Sequence, residues 1–114
     1  MANTVLIIDD EVLIRESLCG ILDDEGFVAL AASSAEEGLQ ILEEKHVSLV
    51  LLDIWMPGMD GLEALKLIKK RFDLPVIMIS GHGTIETAVE ATKNGAYDFI
   101  EKPLSYDKII LSIN

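Results

Sequence analysis

Short, continuously apolar runs alternate along this chain with stretches whose apolar residues recur every three or four positions. Thr4 to Ile8 is an unbroken, β-branched run and predicts a strand buried on both faces. Leu13, Ile14, Leu18, Ile21 and Leu22 then fall on one side of a helix that Gly26 stops. Phe27 to Ala31 predicts a weaker second strand. Ser34, with Glu37 three residues on, forms a capping box in front of a helix striped by Leu39, Ile41 and Leu42. Val47 to Leu52 is the most uniformly apolar strand, and it runs straight into Asp53. Asp60 caps a helix through Leu62, Leu65, Leu67 and Ile68 whose last turn carries Lys69, Lys70 and Arg71, opposite in sign to the helix dipole there. Pro75 to Ile79, a helix from Thr84 to Asn94-Gly95, Ala96 to Ile100, and a last helix capped by Ser105 complete the series.

Five strand–helix units in strict alternation predict an α/β fold, a doubly wound (βα)5 three-layer sandwich around a parallel sheet. The flavodoxin-like strand order 2-1-3-4-5 is expected. No linker, low-complexity tract or repeat interrupts residues 1–114, so a single domain is expected. The short last helix lacks a C-cap, which hints at a chain cut from something longer.

The 114 residues carry 20 acids against 9 Lys and Arg, a net charge of −11. Residues 1–57 hold 12 of the acids and only 2 of the bases, so nearly all the excess lies in the first half. Such a surface repels phosphate backbones and anionic lipid, so direct contact with nucleic acid or membrane is not expected. The longest apolar runs fall far short of the roughly 18 residues that a spanning helix needs. No basic segment precedes the first strand, so no export signal is visible. Cys19 is the single cysteine, which fits a reducing, cytoplasmic setting.

In a doubly wound sheet all strands deliver their carboxyl ends to one edge, where ligands bind. The first strand delivers Asp9-Asp10-Glu11, the third Asp53 and the loop from Ile54 to Gly61, the fourth Ser80, and the fifth Glu101-Lys102-Pro103. In the expected order Asp9, Asp10 and Asp53 meet on adjacent strands. Carboxylates packed this closely repel, and a hard divalent cation with oxygen ligands, Mg²⁺, is the natural remedy. Lys102 adds a fixed positive charge, making a place where a phosphoryl group can share its charge among metal, ammonium and hydroxyl. Neither a P-loop nor a G-x-G-x-x-G is present, and three acids after the first strand would expel a flavin phosphate. Plainer readings stand beside this one: Asp10 as a helix N-cap, Trp55 as a loop cover, Met56 and Met59 as core plugs, His46 and His82 as solvated residues, Gly81 and Gly83 as sources of loop mobility.

Asp9-Asp10, Asp53 with Met56-Pro57 and Asp60-Gly61, Ser80, and Lys102-Pro103 together resemble the receiver domain of bacterial two-component response regulators. The stretches Ser80-Gly-His-Gly-Thr-Ile-Glu-Thr-Ala-Val and Gly95-Ala-Tyr-Asp-Phe-Ile-Glu-Lys-Pro103 further resemble the nitrogen-regulatory class, whose receivers precede an ATPase and a DNA-binding domain. The resemblance implies a switch, not an enzyme acting on external substrates. Asp53 is then the phosphoacceptor for a sensor histidine kinase. Asp10 is the main Mg²⁺ ligand, Asp9 holds the metal mostly through water, and Asp53 and the Trp55 backbone carbonyl complete the site. Ser80 and Lys102 contact the phosphoryl group, and the Lys102–Pro103 bond is cis. Phe99 stands where the family keeps its rotating aromatic, usually Tyr, so a hydroxyl hydrogen bond is lost there. Homodimerisation, through the fourth and fifth helices or the first and fifth, is also implied. Two alternatives stay open at this point: a Mg²⁺-dependent phosphohydrolase using Asp53 as a transient nucleophile, and a degenerate receiver that works by contact alone.

Overall fold

The computed structural model describes residues 3–81, 84–102 and 105–113. Five strands, β1 (Thr4–Ile8), β2 (Val28–Ala32), β3 (Leu49–Asp53), β4 (Val76–Ser80) and β5 (Asp98–Glu101), form one sheet in the order β2-β1-β3-β4-β5. Every neighbouring pair is parallel, as expected from the alternation. Five helices connect and follow them: α1 (Val12–Asp24), α2 (Ala35–Glu44), α3 (Gly61–Arg71), α4 (Ile85–Lys93) and α5 (Tyr106–Ile113).

Alternation within each strand divides the interior in two. Leu6, Ile8, Val50, Leu52, Val76 and Met78 face α2, α3 and α4, meeting Leu42, Leu65, Ile68 and Ala91. Val5, Ile7, Leu49, Leu51, Ile77, Ile79 and Ile100 face α1 and α5, meeting Leu18, Leu22 and Ile109. A strand covered on both faces must be apolar at every position, which is why β1 and β3 read as unbroken hydrophobic runs. Each such Leu or Ile, fully removed from water, stabilises the fold by roughly 1.5–3 kcal/mol.

The helix starts are fixed locally. Ser34 Oγ accepts from Glu37 N, Asp60 Oδ1 from Glu63 N, and Ser105 Oγ from Lys108 N. The reciprocal bond of the box at α2 reaches one residue farther back than expected: Glu37 takes the N–H of Ser33. A complete box forms instead at α4, where Thr84 and Thr87 each accept the other's backbone N–H. Among the described residues no helix is long and apolar enough to cross a membrane.

The chain passes from β1 outward to β2 and then returns to β3 on the other side of β1. That reversal leaves a crevice at the carboxyl ends of β1 and β3, with Asp9-Asp10-Glu11 on its rim.

Candidate functional site

Asp9 follows the last residue of β1 and stays tied to the sheet, donating its N–H to Ala32 O at 3.1 Å. Its Oδ1 accepts the N–H of Glu11 at 2.9 Å, which turns the chain into α1. Asp53 is the final residue of β3, opposite Ile79, and Ile54 N continues the ladder to Ile79 O. Ser80 ends β4 opposite Glu101, and Lys102 N donates to Ser80 O at 2.7 Å, so β4 and β5 leave the sheet together. The β3–α3 connection closes tightly because residue 61 is glycine. A Cβ there would stand 2.6 Å from Ile54 Cα and closer still to the Asp53 carbonyl oxygen. Gly61 N donates to Ile54 O at 2.8 Å across this junction, and Gly58 in the loop takes a φ of +78° that favours glycine.

One carboxylate oxygen from each of Asp9, Asp10 and Asp53 lies within 4.8 Å of the others. Asp10 is exposed, whereas Asp9 and Asp53 are 0% and 2% accessible. Lys102 Nζ reaches over this cluster, 3.2 Å from Asp9 Oδ2, 3.5 Å from Glu11 Oε1 and 3.8 Å from Asp53 Oδ1. Among the described residues, Asp9 Oδ2 and Asp53 Oδ1 are buried with the Lys102 ammonium at ion-pair distance and no other partner. Such groups are costly, and one ammonium cannot compensate two buried carboxylates.

The strain registers in the proton affinities. Burial first, then the charge of Asp9, pushes Asp53 up to about 7, although Lys102 and a backbone hydrogen bond from Trp55 oppose the shift. Burial also raises Asp9, against the Glu11 N–H and Lys102. Lys102 loses some affinity for its proton to burial, but the charges of Asp53 and Asp9 outweigh that and hold it above the ordinary lysine value. Orphaned oxygens, all of them hard donors, clustered and partly shielded from water, are what a Mg²⁺ ion needs and what it would relieve. The donor set fits that ion.

A family model, that of the response regulator receiver domain, matches residues 5–114. The chain belongs to that family. A putative NtrX-like response regulator of Rickettsia bellii is 58% identical over 110 residues, covering 94% of this chain and 23% of that protein. The nitrogen assimilation regulatory protein NtrX of Azorhizobium caulinodans is 49% identical over 114 residues, covering 97% of this chain and 25% of its own length. The crystal structure of the receiver domain of NtrX from Brucella abortus superposes with a TM-score of 0.91 at 51% identity, covering 96% of this chain and 93% of that one. This receiver domain therefore spans about a quarter of the length of the NtrX relatives it matches.

Within the receiver domain the acids and the lysine singled out by sequence converge on one edge, and fully buried Ser80 ends the neighbouring strand. The Trp55 ring is half exposed at 48%, on the loop after Asp53. Phe99 is partly buried on the α4 side of the sheet, opposite Met78 in register. Met56 is buried and Met59 packs against the same core, as core plugs should, and His46 is exposed. Asp10 is not the cap of α1: Glu11 occupies that position and makes no side-chain capping bond. The cis bond expected before Pro103, and the readings of His82 and Gly83, lie outside the described residues.

Two contacts of the site escaped the sequence reading. Glu11 was noted only as a third acid, yet it shares Lys102. Arg15 was not noted at all, although its Nη1 donates to the Asp9 carbonyl at 2.8 Å. Spacing puts this basic residue one helical turn beyond an acidic strand end but does not fix what it reaches.

Proposed function

We propose that this receiver domain is a phospho-aspartate switch, with Asp53 as the residue phosphorylated. The observation that carries the reading is the Asp53 carboxylate itself: buried, its Oδ1 without a hydrogen-bond partner among the described residues, flanked by Asp9 and Asp10, and within 3.8 Å of the Lys102 ammonium. Asp9, Asp10 and Asp53 would hold Mg²⁺, with the Trp55 carbonyl as a further ligand. Bound there, the ion supplies charge neutralisation for the incoming phosphoryl oxygens.

The chain's own groups do the remainder. An Asp53 oxygen attacks the phosphorus of a phosphohistidine or a small acyl phosphate in line. The new O–P bond forms as the donor's P–N or P–O bond breaks, and the imidazole or carboxylate leaves. Lys102 pairs with the phosphoryl oxygens, and the buried hydroxyl of Ser80, on the strand that neighbours β3, bonds to them. About 1.5–2 additional negative charges then sit at one point of the edge. Ser80 turns toward them and Phe99 occupies the space it leaves, so that α4 and β5 repack. Water later hydrolyses the acyl phosphate, which makes the modification a timed signal and not turnover of an external substrate.

The lengths of the relatives support a receiver unit at residues 1–114 within a longer regulator, controlled by a sensor histidine kinase and controlling ATPase and DNA-binding segments. The acidic surface supports a domain that touches neither nucleic acid nor membrane itself, and the lone Cys19 supports a reducing, cytoplasmic setting. Homodimerisation would bring two output segments together.

Incubation with acetyl phosphate and Mg²⁺ tests the central step. Intact mass should rise by one phosphoryl group, and neither Asp53→Asn nor omission of Mg²⁺ should allow the gain. Release of phosphate with no adduct at any time would instead make the domain a hydrolase, and an unchanged mass without phosphate release would remove the phosphoacceptor role.

A further inference from the structure

We propose that Arg15 is a positioning residue for the metal-binding edge, holding the Asp9–Asp10 peptide in place from the first turns of α1. This inference rests on the Mg²⁺ site proposed above.

The β1 ladder ends with Ile8, paired to Ala32 on one side and Leu52 on the other. The Asp9 N–H still reaches Ala32 O, but its carbonyl lies past the last paired residue, and Arg15 Nη1 takes it at 2.8 Å. Arg15 is half-buried, and its own N–H donates to Glu11 O at 3.1 Å within the helix. Asp9 is thus held at both ends of the residue: its carbonyl by Arg15 and its carboxylate Oδ1 by the Glu11 N–H. The peptide between these two anchors carries Asp10, the exposed ligand, whose carboxylate direction depends on how that peptide is turned. A planar guanidinium suits the task, because its donors are held in a rigid plane at the end of a long stem.

Charge and position predict opposite signs for removing this side chain. Arg15 is a cation beside a cation site, so by Coulomb's law alone Arg15→Met should tighten Mg²⁺ binding. If the residue orients the ligands, Arg15→Met should weaken binding, roughly tenfold or more, as loss of an outer-shell partner does at other metal sites. Trp55, the single tryptophan and half exposed beside Asp53, reports the titration by its emission.

The experiment titrates MgCl₂ into the wild-type chain, Arg15→Met and Arg15→Lys at constant ionic strength, with urea midpoints in EDTA alongside to verify folding. The expected result is weaker Mg²⁺ binding by Arg15→Met with folding retained, and partial recovery at most by Arg15→Lys, whose ammonium reaches less far than the Nη1 that donates to Asp9 O. Equal or tighter binding by Arg15→Met overturns the proposal. Should that variant fail to fold, wild-type affinity in Arg15→Lys overturns it and weakened affinity supports it. A wild-type chain whose emission and midpoint both ignore Mg²⁺ would sink the proposed function, and this inference with it; a wild-type response with an unimpaired variant sinks the inference alone.

Discussion

With its carboxyl held at about 7, folded Asp53 keeps a proton that an unfolded chain releases near 4. Because the folded value is the higher one, protonation favours the fold at low pH, and that contribution is lost as pH rises from about 4 to about 7. Asp53→Asn removes the charge and should therefore stabilise the metal-free chain at pH 8, by on the order of 2–4 kcal/mol, with the gain vanishing below about pH 4. Urea unfolding in EDTA across this range measures it; a gain independent of pH would show that packing, not charge, is responsible. Asp53, Asp9, Asp10, Ser80 and Lys102 were legible as residues of the candidate site because parallel strands must deliver their ends to one edge, and acids gathered there need a reason. Arg15 was not legible, since its contact depends on how α1 lies across the end of β1, an angle that no spacing in the sequence encodes.

Among the elements, the junction of β3 and α3 tolerates least. Gly61→Ala would drive a Cβ into the backbone of Asp53 and Ile54, neither of which can rotate away, and should destabilise by about 1–3 kcal/mol or more. Gly20→Ala, the same change in the middle of α1, meets nothing within 4 Å and should stabilise by about 0.5–1 kcal/mol. Thermal unfolding of the two variants against wild type decides both signs, and a neutral Gly61→Ala would mean that the loop between them can shift. Element order and type followed from hydrophobic periodicity; the strand ends did not. Asp53 and Ser80 were read as lying after their strands, yet each is the last paired residue. The sequence reading stops a strand at the first polar side chain, whereas the ladder is made by backbone groups that are the same in Asp and Ser as in Leu. At the other ends, Val47 is buried without being in β3, and exposed Pro75 and half-buried Ala96 precede their strands, because an apolar side chain does not by itself put a residue in the paired ladder.

Taken whole, the domain concentrates its charge excess in residues 1–57 and then packs two carboxylates into that acidic half with one nearby ammonium. A divalent cation that binds only the folded site stabilises by mass action, by about 2.7 kcal/mol at a concentration one hundred times its dissociation constant. Millimolar MgCl₂ should accordingly raise the unfolding midpoint more than NaCl of equal ionic strength, and Asp10→Asn should reduce that difference. Equal effects of the two salts would mean general screening of the −11 charge and no site. The two-sided interior adds a constraint on how anything done at the edge can travel. Phe99 and Ile100 are consecutive, but one belongs to the compartment under α4 and the other to the compartment under α5, with the sheet as the wall between them. A rearrangement that begins at Phe99 would reach the surface through the first compartment, while the second, packed on Ile109, lies behind the sheet and shares none of its side chains.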